Sequence, residues 1–109
     1  MAYSEELEMR LVQLTKARRD IYNQKMFGGL GFFMCGNMCF GIWKDNLILR
    51  LGKAQAQVAL RSKNVVPFDI TGRPMNGWVM VKPAGIRTRL ALMKWVNQSI
   101  DFVIQLSGK

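Results

Sequence analysis

Residue types able to carry chemistry are scarce in this 109-residue chain, and histidine is absent altogether. Without histidine the usual general base, the Ser-His and Cys-His nucleophile pairs and most zinc sites are excluded. Two cysteines and seven carboxylates remain. Carboxylate pairs can do acid–base work, but Asp45 and Asp69 fall at turn positions and Glu5, Glu6 and Glu8 at a helix start, where solvation and the helix dipole account for them. The residue types therefore point to a protein that is not an enzyme, with no catalytic residues, no cofactor and no metal.

Cys35 and Cys39 form a C-x-x-x-C pair across a predicted hairpin. A two-residue Gly36-Asn37 turn would pair Cys35 with Met38 and put the sulfurs on opposite faces, whereas a three-residue loop would pair the cysteines directly. The two-residue turn is the expectation. With no other ligand to complete a metal shell, both cysteines read as small core residues rather than a redox pair. The Gly29-x-Gly31 piece is no phosphate loop, because such loops follow a strand and open a helix, and here a strand comes after the glycines. Glycines at this density instead suggest a strand that passes close under a helix or begins with a bulge.

The formal charge is +9, and five of the seven acids (Glu5, Glu6, Glu8, Asp20, Asp45) precede residue 55, so the later half carries most of the positive excess. Lys16, Arg18 and Arg19 are expected at the end of a first helix, and Arg61 and Lys63 at the end of a second, where the dipole favours cations. Arg87 and Arg89 break this rule, since they flank Thr88, the expected cap of the last helix, and so stand at its positive end. With Arg73, Lys82 and Lys94 they form a candidate patch for an anion or nucleic acid, the plain alternative being a solvated surface. No aromatic ladder accompanies the patch, because Phe32, Phe33, Phe40, Trp43 and Trp78 lie on predicted strands whose alternate positions fill a core. Phe32 and Phe33 point to opposite sides of one strand, which implies a sheet covered on both faces.

Positioning these residues falls to a short series of elements. Ser4 caps a helix with acids in its first turn and Leu7, Leu11, Leu14 and Ile21 along one face. Phe32–Cys35, Met38–Trp43 and Leu47–Leu51 read as a three-stranded meander, with turns at Gly36-Asn37 and Asp45-Asn46. Lys53–Ser62 suits a short helix, Val65–Ile70 and Gly77–Lys82 two further strands around a Thr71-Gly72-Arg73-Pro74 turn, and Thr88–Leu106 a long final helix. The order α-β-β-β-α-β-β-α, without repeat or linker, predicts a single two-layer α+β domain over 1–109 with an antiparallel sheet. Charges interrupt every apolar run before the roughly 18 residues of a membrane span, so a soluble cytoplasmic protein is expected. On the last helix Met93, Val96, Ile100 and Ile104 make one stripe, enough to cover a sheet. Leu92, Trp95, Phe102 and Leu106 make a second, a candidate interaction face. Either an internal neighbour such as the first helix or a second copy of the chain would cover it.

The residues Met26-Phe27-Gly28-Gly29-Leu30-Gly31, then Gly36-Asn37-Met38, Phe68-x-x-Thr71-Gly72-Arg73-Pro74-Met75-x-Gly77-Trp78 and Trp95-Val96 together resemble the TfoX/Sxy N-terminal domain family across about residues 10–107. The resemblance implies a two-layer α+β domain with the element order above. The family's namesake is a bacterial regulator of DNA-uptake competence that carries a second, C-terminal domain not found in these 109 residues. No catalytic motif of the family maps onto this chain. The expectation is a binding or regulatory module acting through protein contacts, self-association included, with a nucleic-acid-binding accessory protein as the rival.

Overall fold

The computed structural model of the protein describes residues 3–26, 28–69 and 75–107. Phe27 and the expected Thr71-Gly72-Arg73-Pro74 turn, Arg73 of the basic patch included, lie outside these residues. The chain runs α1 (Glu5–Thr15), β1 (Ile21–Met26), β2 (Gly29–Met34), β3 (Asn37–Trp43), β4 (Asn46–Arg50), α2 (Lys53–Ala59), β5 (Val65–Pro67), β6 (Trp78–Val81), a 3-10 turn (Pro83–Gly85) and α3 (Arg89–Ser107). The strands form one six-stranded antiparallel sheet in the order β1-β2-β3-β4-β6-β5, the α+β class expected from the sequence.

Ser4 caps α1 as expected, its Oγ accepting from the Leu7 N–H at 3.1 Å. The helix stops at Thr15, however, before Lys16, Arg18 and Arg19, and Ile21 opens β1 instead of extending the helix face. β1 is a strand that the sequence pattern did not reveal. Tyr22–Lys25 are exposed, and only the strand's two ends are partly covered, so an edge strand paired to β2 alone has no alternation to read. The second helix also ends early, at Ala59, which leaves Arg61 and Lys63 in the connection to β5.

The three helices share one face of the sheet. Phe32 and Phe40 stack there at 4.7 Å, in a core completed by Leu7 and Leu11 of α1, Ala56 and Ala59 of α2, and Leu92, Val96, Ile100 and Val103 of α3. This corrects the stripe assigned to α3: Leu92 is 1% exposed and faces the core, whereas Met93 and Ile104 are 36% and 45% exposed. Trp95 and Phe102 pack half-buried against that core, and Leu106 is exposed. Their internal neighbour is α2 with its leading glycine rather than α1. Trp95 shares a groove with Val58 and Ala59, and Phe102 lies over Gly52, where a Cβ would sit 2.8 Å from its Cδ1.

The opposite face is also covered, as Phe32 and Phe33 implied. Ile48, Phe68 and Met80 are buried there, Met38, Trp43, Val66 and Trp78 pack against them, and Phe33 stacks on Tyr22 at 5.5 Å. Among the described residues no helix covers this side.

Candidate functional site

On the helix-free face, Gly31 of β2 stands opposite Gly41 of β3. Neither strand offers a side chain at that point, and neighbours fill the space. A Cβ on Gly31 would come within 2.9 Å of Met26 Sδ and of Phe33 Cε1, and one on Gly41 would meet the Leu30 carbonyl oxygen and lie 2.7 Å from Met38 Cε. The glycine-rich segment thus makes room for methionines lying flat on the sheet, not for a helix crossing it. A bulge does occur, but further along, between Phe32 and Phe33.

Around these methionines the sheet builds a cavity of about 280 Å³. Ile48 of β4 contributes to its lining, Trp43 comes from the end of β3, and Trp78 opens β6. Phe68 and Met75 come from the connection between β5 and β6, whose two ends are tied by a bond from the Met75 N–H to the Phe68 carbonyl at 3.2 Å. The Phe68 and Trp78 rings meet at 5.9 Å. The described lining residues are Met, Gly, Leu, Ile, Phe and Trp, none of which titrates. A cavity of this composition offers shape, polarisable thioethers and aromatic faces, which is equipment for holding an apolar group rather than for moving protons.

Two separate stretches of the resemblance motif converge here. Met26 and Gly29 from the first, and Met75 and Trp78 from the second, line the same cavity, with Gly31 against Met26. Gly28 and Gly77 supply positive φ, 73° and 88°, at the entries to β2 and β6. Of the remaining lining residues Met38 and Phe68 belong to the resemblance motif, whereas Trp43 and Ile48 were not singled out for a site in the sequence. For Ile48 the legible signal is alternation, since Leu47 and Leu49 on either side lie in the helix-facing core.

The cysteines are separated more fully than expected. The β2–β3 turn is Cys35-Gly36, one residue earlier than the predicted Gly36-Asn37, with φ of 53° and 80° as a primed two-residue turn requires. Cys35 is exposed, which corrects its placement in the core, while Cys39 is buried at the bulge and burial pushes its thiol up to about 11.

Of the basic patch, Lys82 precedes the 3-10 turn, and Arg87 and Arg89 flank Thr88, whose Oγ1 accepts from the Ala91 N–H at 3.0 Å as the expected cap. Lys94 lies further along α3 in the groove beside α2. The fold adds residues that the sequence did not place there. Arg10 donates to the carbonyl of Ile86 at 2.6 Å and, at 3.4 Å, to those of Arg87 and Thr88, and the Lys82 N–H bonds the Asn64 carbonyl, bringing the Arg61–Lys63 connection alongside. Among the described residues the one ion pair is Arg18 with Asp20, at 2.8 Å; Glu6 and Asp45 line the cleft beside Arg10 and Arg87 without pairing with them.

No helix among the described residues is long and apolar enough to cross a membrane. No curated protein and no solved structure matches the chain. Residues 13–103, which take in the whole sheet and both converging motif stretches, match the TfoX N-terminal domain, and the chain therefore belongs to the TfoX N-terminal domain family.

Proposed function

We propose that this protein is a non-enzymatic binding module of the TfoX N-terminal kind, and that it binds by taking an apolar group into the pocket on the helix-free face of its sheet. The observation that carries this is the convergence of Met26, Gly29, Met75 and Trp78, two distant stretches of the chain, on one cavity lined without a titratable side chain. A regulatory role through such contacts is in keeping with the family, whose namesake regulates competence. At roughly 30 Å³ per water-sized group, 280 Å³ takes about nine non-hydrogen atoms, the size of a short alkyl chain or one large side chain of a partner.

The three tryptophans make the test site-specific, because Trp43 and Trp78 line the cavity while Trp95 lies on the helix side. Titration with 1-octanol should shift the indole N–H resonances of Trp43 and Trp78 and leave Trp95 in place. Ile48→Phe, which fills the cavity, should weaken this at least tenfold without changing the far-UV spectrum. Unmoved indole signals, or equal shifts in the filled variant, would refute the proposal.

A second function reading rests on the basic end of α3. Arg87 and Arg89, with Lys82 and the Arg61–Lys63 connection, form a cationic surface that makes no ion pair among the described residues. Such a surface suits a nucleic-acid backbone and would make the protein a DNA- or RNA-binding accessory.

A further inference from the structure

Trp78 belongs to two cavities. One is the apolar pocket, and the other is a smaller space of about 150 Å³ lined by Arg50, Gly52, Lys53, Asn76, Gly77, Trp78 and Phe102. The two chambers share Trp78 and differ in character, since the second is lined by two cations and an amide. Arg50 is held in place by aromatic faces, its guanidinium carbon 5.4 Å from the Trp78 ring centre and 5.9 Å from that of Phe102. It has no ion-pair partner among the described residues. A guanidinium stacked on rings keeps its planar N–H fork available in a set orientation, which is the arrangement that recognises a carboxylate by two parallel hydrogen bonds.

Nearby acids do not answer this charge. Asp101, next to Phe102, lines a separate groove with Leu51 and Gln55 and forms no ion pair with Arg50. Asp45 lines the cleft between α1 and the 3-10 turn with Arg10 and Arg87, and Asp69 is exposed beyond Phe68. At about 30 Å³ per group the polar chamber accommodates roughly five water-sized groups, room for one carboxylate and its hydration.

We infer that the paired chambers bind a small amphipathic carboxylate: the apolar body, about eight or nine non-hydrogen atoms long, in the methionine and tryptophan pocket, and the carboxylate on Arg50, with Lys53 and Asn76 beside it. This deepens the binding function proposed above and rests on it. Lys44, 4.6 Å above the Trp43 ring at the far end of the pocket, has no part in holding the head group.

The experiment compares octanoate with 1-octanol, which share a chain and differ in charge, on the intact protein by the same indole resonances. Octanoate should bind at least tenfold more tightly than 1-octanol. Arg50→Gln should erase that preference while leaving 1-octanol affinity unchanged, and Lys44→Gln should leave both unchanged. In the unmodified protein, raising NaCl from 20 to 500 mM should weaken octanoate several-fold and 1-octanol not at all, a readout that stands even where Arg50→Gln fails to fold. Equal affinity for the two ligands, a preference that survives Arg50→Gln, or salt-independent octanoate binding would overturn the carboxylate inference and leave the apolar pocket standing. Binding of neither would overturn both.

Discussion

At the residue scale, the glycines of the motif do different things that their shared identity hides. The contact a Cβ on Gly41 would make is with the Leu30 carbonyl, part of the sheet's own backbone, whereas on Gly31 it would press on the Met26 and Phe33 side chains, which can move. Gly41→Ala should therefore cost ~3 kcal/mol and Gly31→Ala nearer 1 kcal/mol in urea unfolding, with Gly31→Ala also narrowing the pocket. Cys35 and Cys39 diverge in the same way. An alkylating reagent at neutral pH should label exposed Cys35 quickly and reach Cys39 only on unfolding. Because burial pushes the Cys39 thiol from 9.0 to about 11, the folded protein holds that proton more tightly than the unfolded chain. Its contribution to stability is complete below pH 9 and is lost as pH rises from 9 to 11. The decline should be on the order of 2 to 3 kcal/mol, and it should be absent from Cys39→Ala, so that the difference between the parent and that variant unfolded in parallel isolates it.

At the element scale, α3 shows why a helix with a wide apolar arc cannot be assigned a partner from its pattern alone. Leu92 and Val103 face the sheet, and Phe102 lies over Gly52, whose φ of 84° lets the chain turn beneath the ring into α2. Trp95 and Phe102 of the second stripe thus cover an internal seam, while Leu106 is exposed. Phe102→Ala should destabilise the fold by ~2 to 3 kcal/mol and leave the oligomeric state, measured by light scattering after size exclusion, as it is in the parent. A shift from dimer to monomer in that variant would instead assign the stripe to a second copy of the chain. The start of α3 is organised just as locally. Thr88 caps it, while Arg10, 76 residues before Ile86, clamps the preceding carbonyls and adds a third arginine to an end whose dipole is already positive.

At the scale of the whole molecule, the +9 charge finds little internal compensation, with one ion pair among the described residues. A net field of this kind attracts polyanions, and salt dependence shows whether a surface engages phosphates. If Lys63, Lys82, Arg87 and Arg89 make four phosphate contacts, affinity for a short duplex should fall roughly 100-fold between 50 and 200 mM salt. The Arg87→Glu, Arg89→Glu double variant should abolish the binding while leaving 1-octanol in its pocket. Duplex affinity insensitive to salt or to the charge reversal would remove the nucleic-acid reading. The two faces of the sheet can be probed independently, because the helix layer carries the basic end and the bare face carries the pocket.

Local interactions are what one chain of residues displays, and they account for what was legible here. The Ser4 and Thr88 caps, the second helix, the antiparallel class and the doubly covered sheet all follow from patterns within a few residues of one another. The family was legible from glycine and aromatic spacing, and the absence of a histidine excluded the usual bases before any coordinates. β1 was not legible, because a solvent-facing edge strand is held by backbone pairing to β2 and needs no apolar alternation. Nor was the turn register at Cys35-Gly36, which goes with a bulge at Cys39. The proposed binding pocket lay furthest from view. Met26 and Gly29 come to line one cavity with Met75 and Trp78 only after the strands between them pair, and Arg50 meets Trp78 only because β4 lies beside β6. Composition and spacing determined which groups the protein owns; only the pairing of distant strands decided that methionines, tryptophans and an unneutralised arginine would face one another.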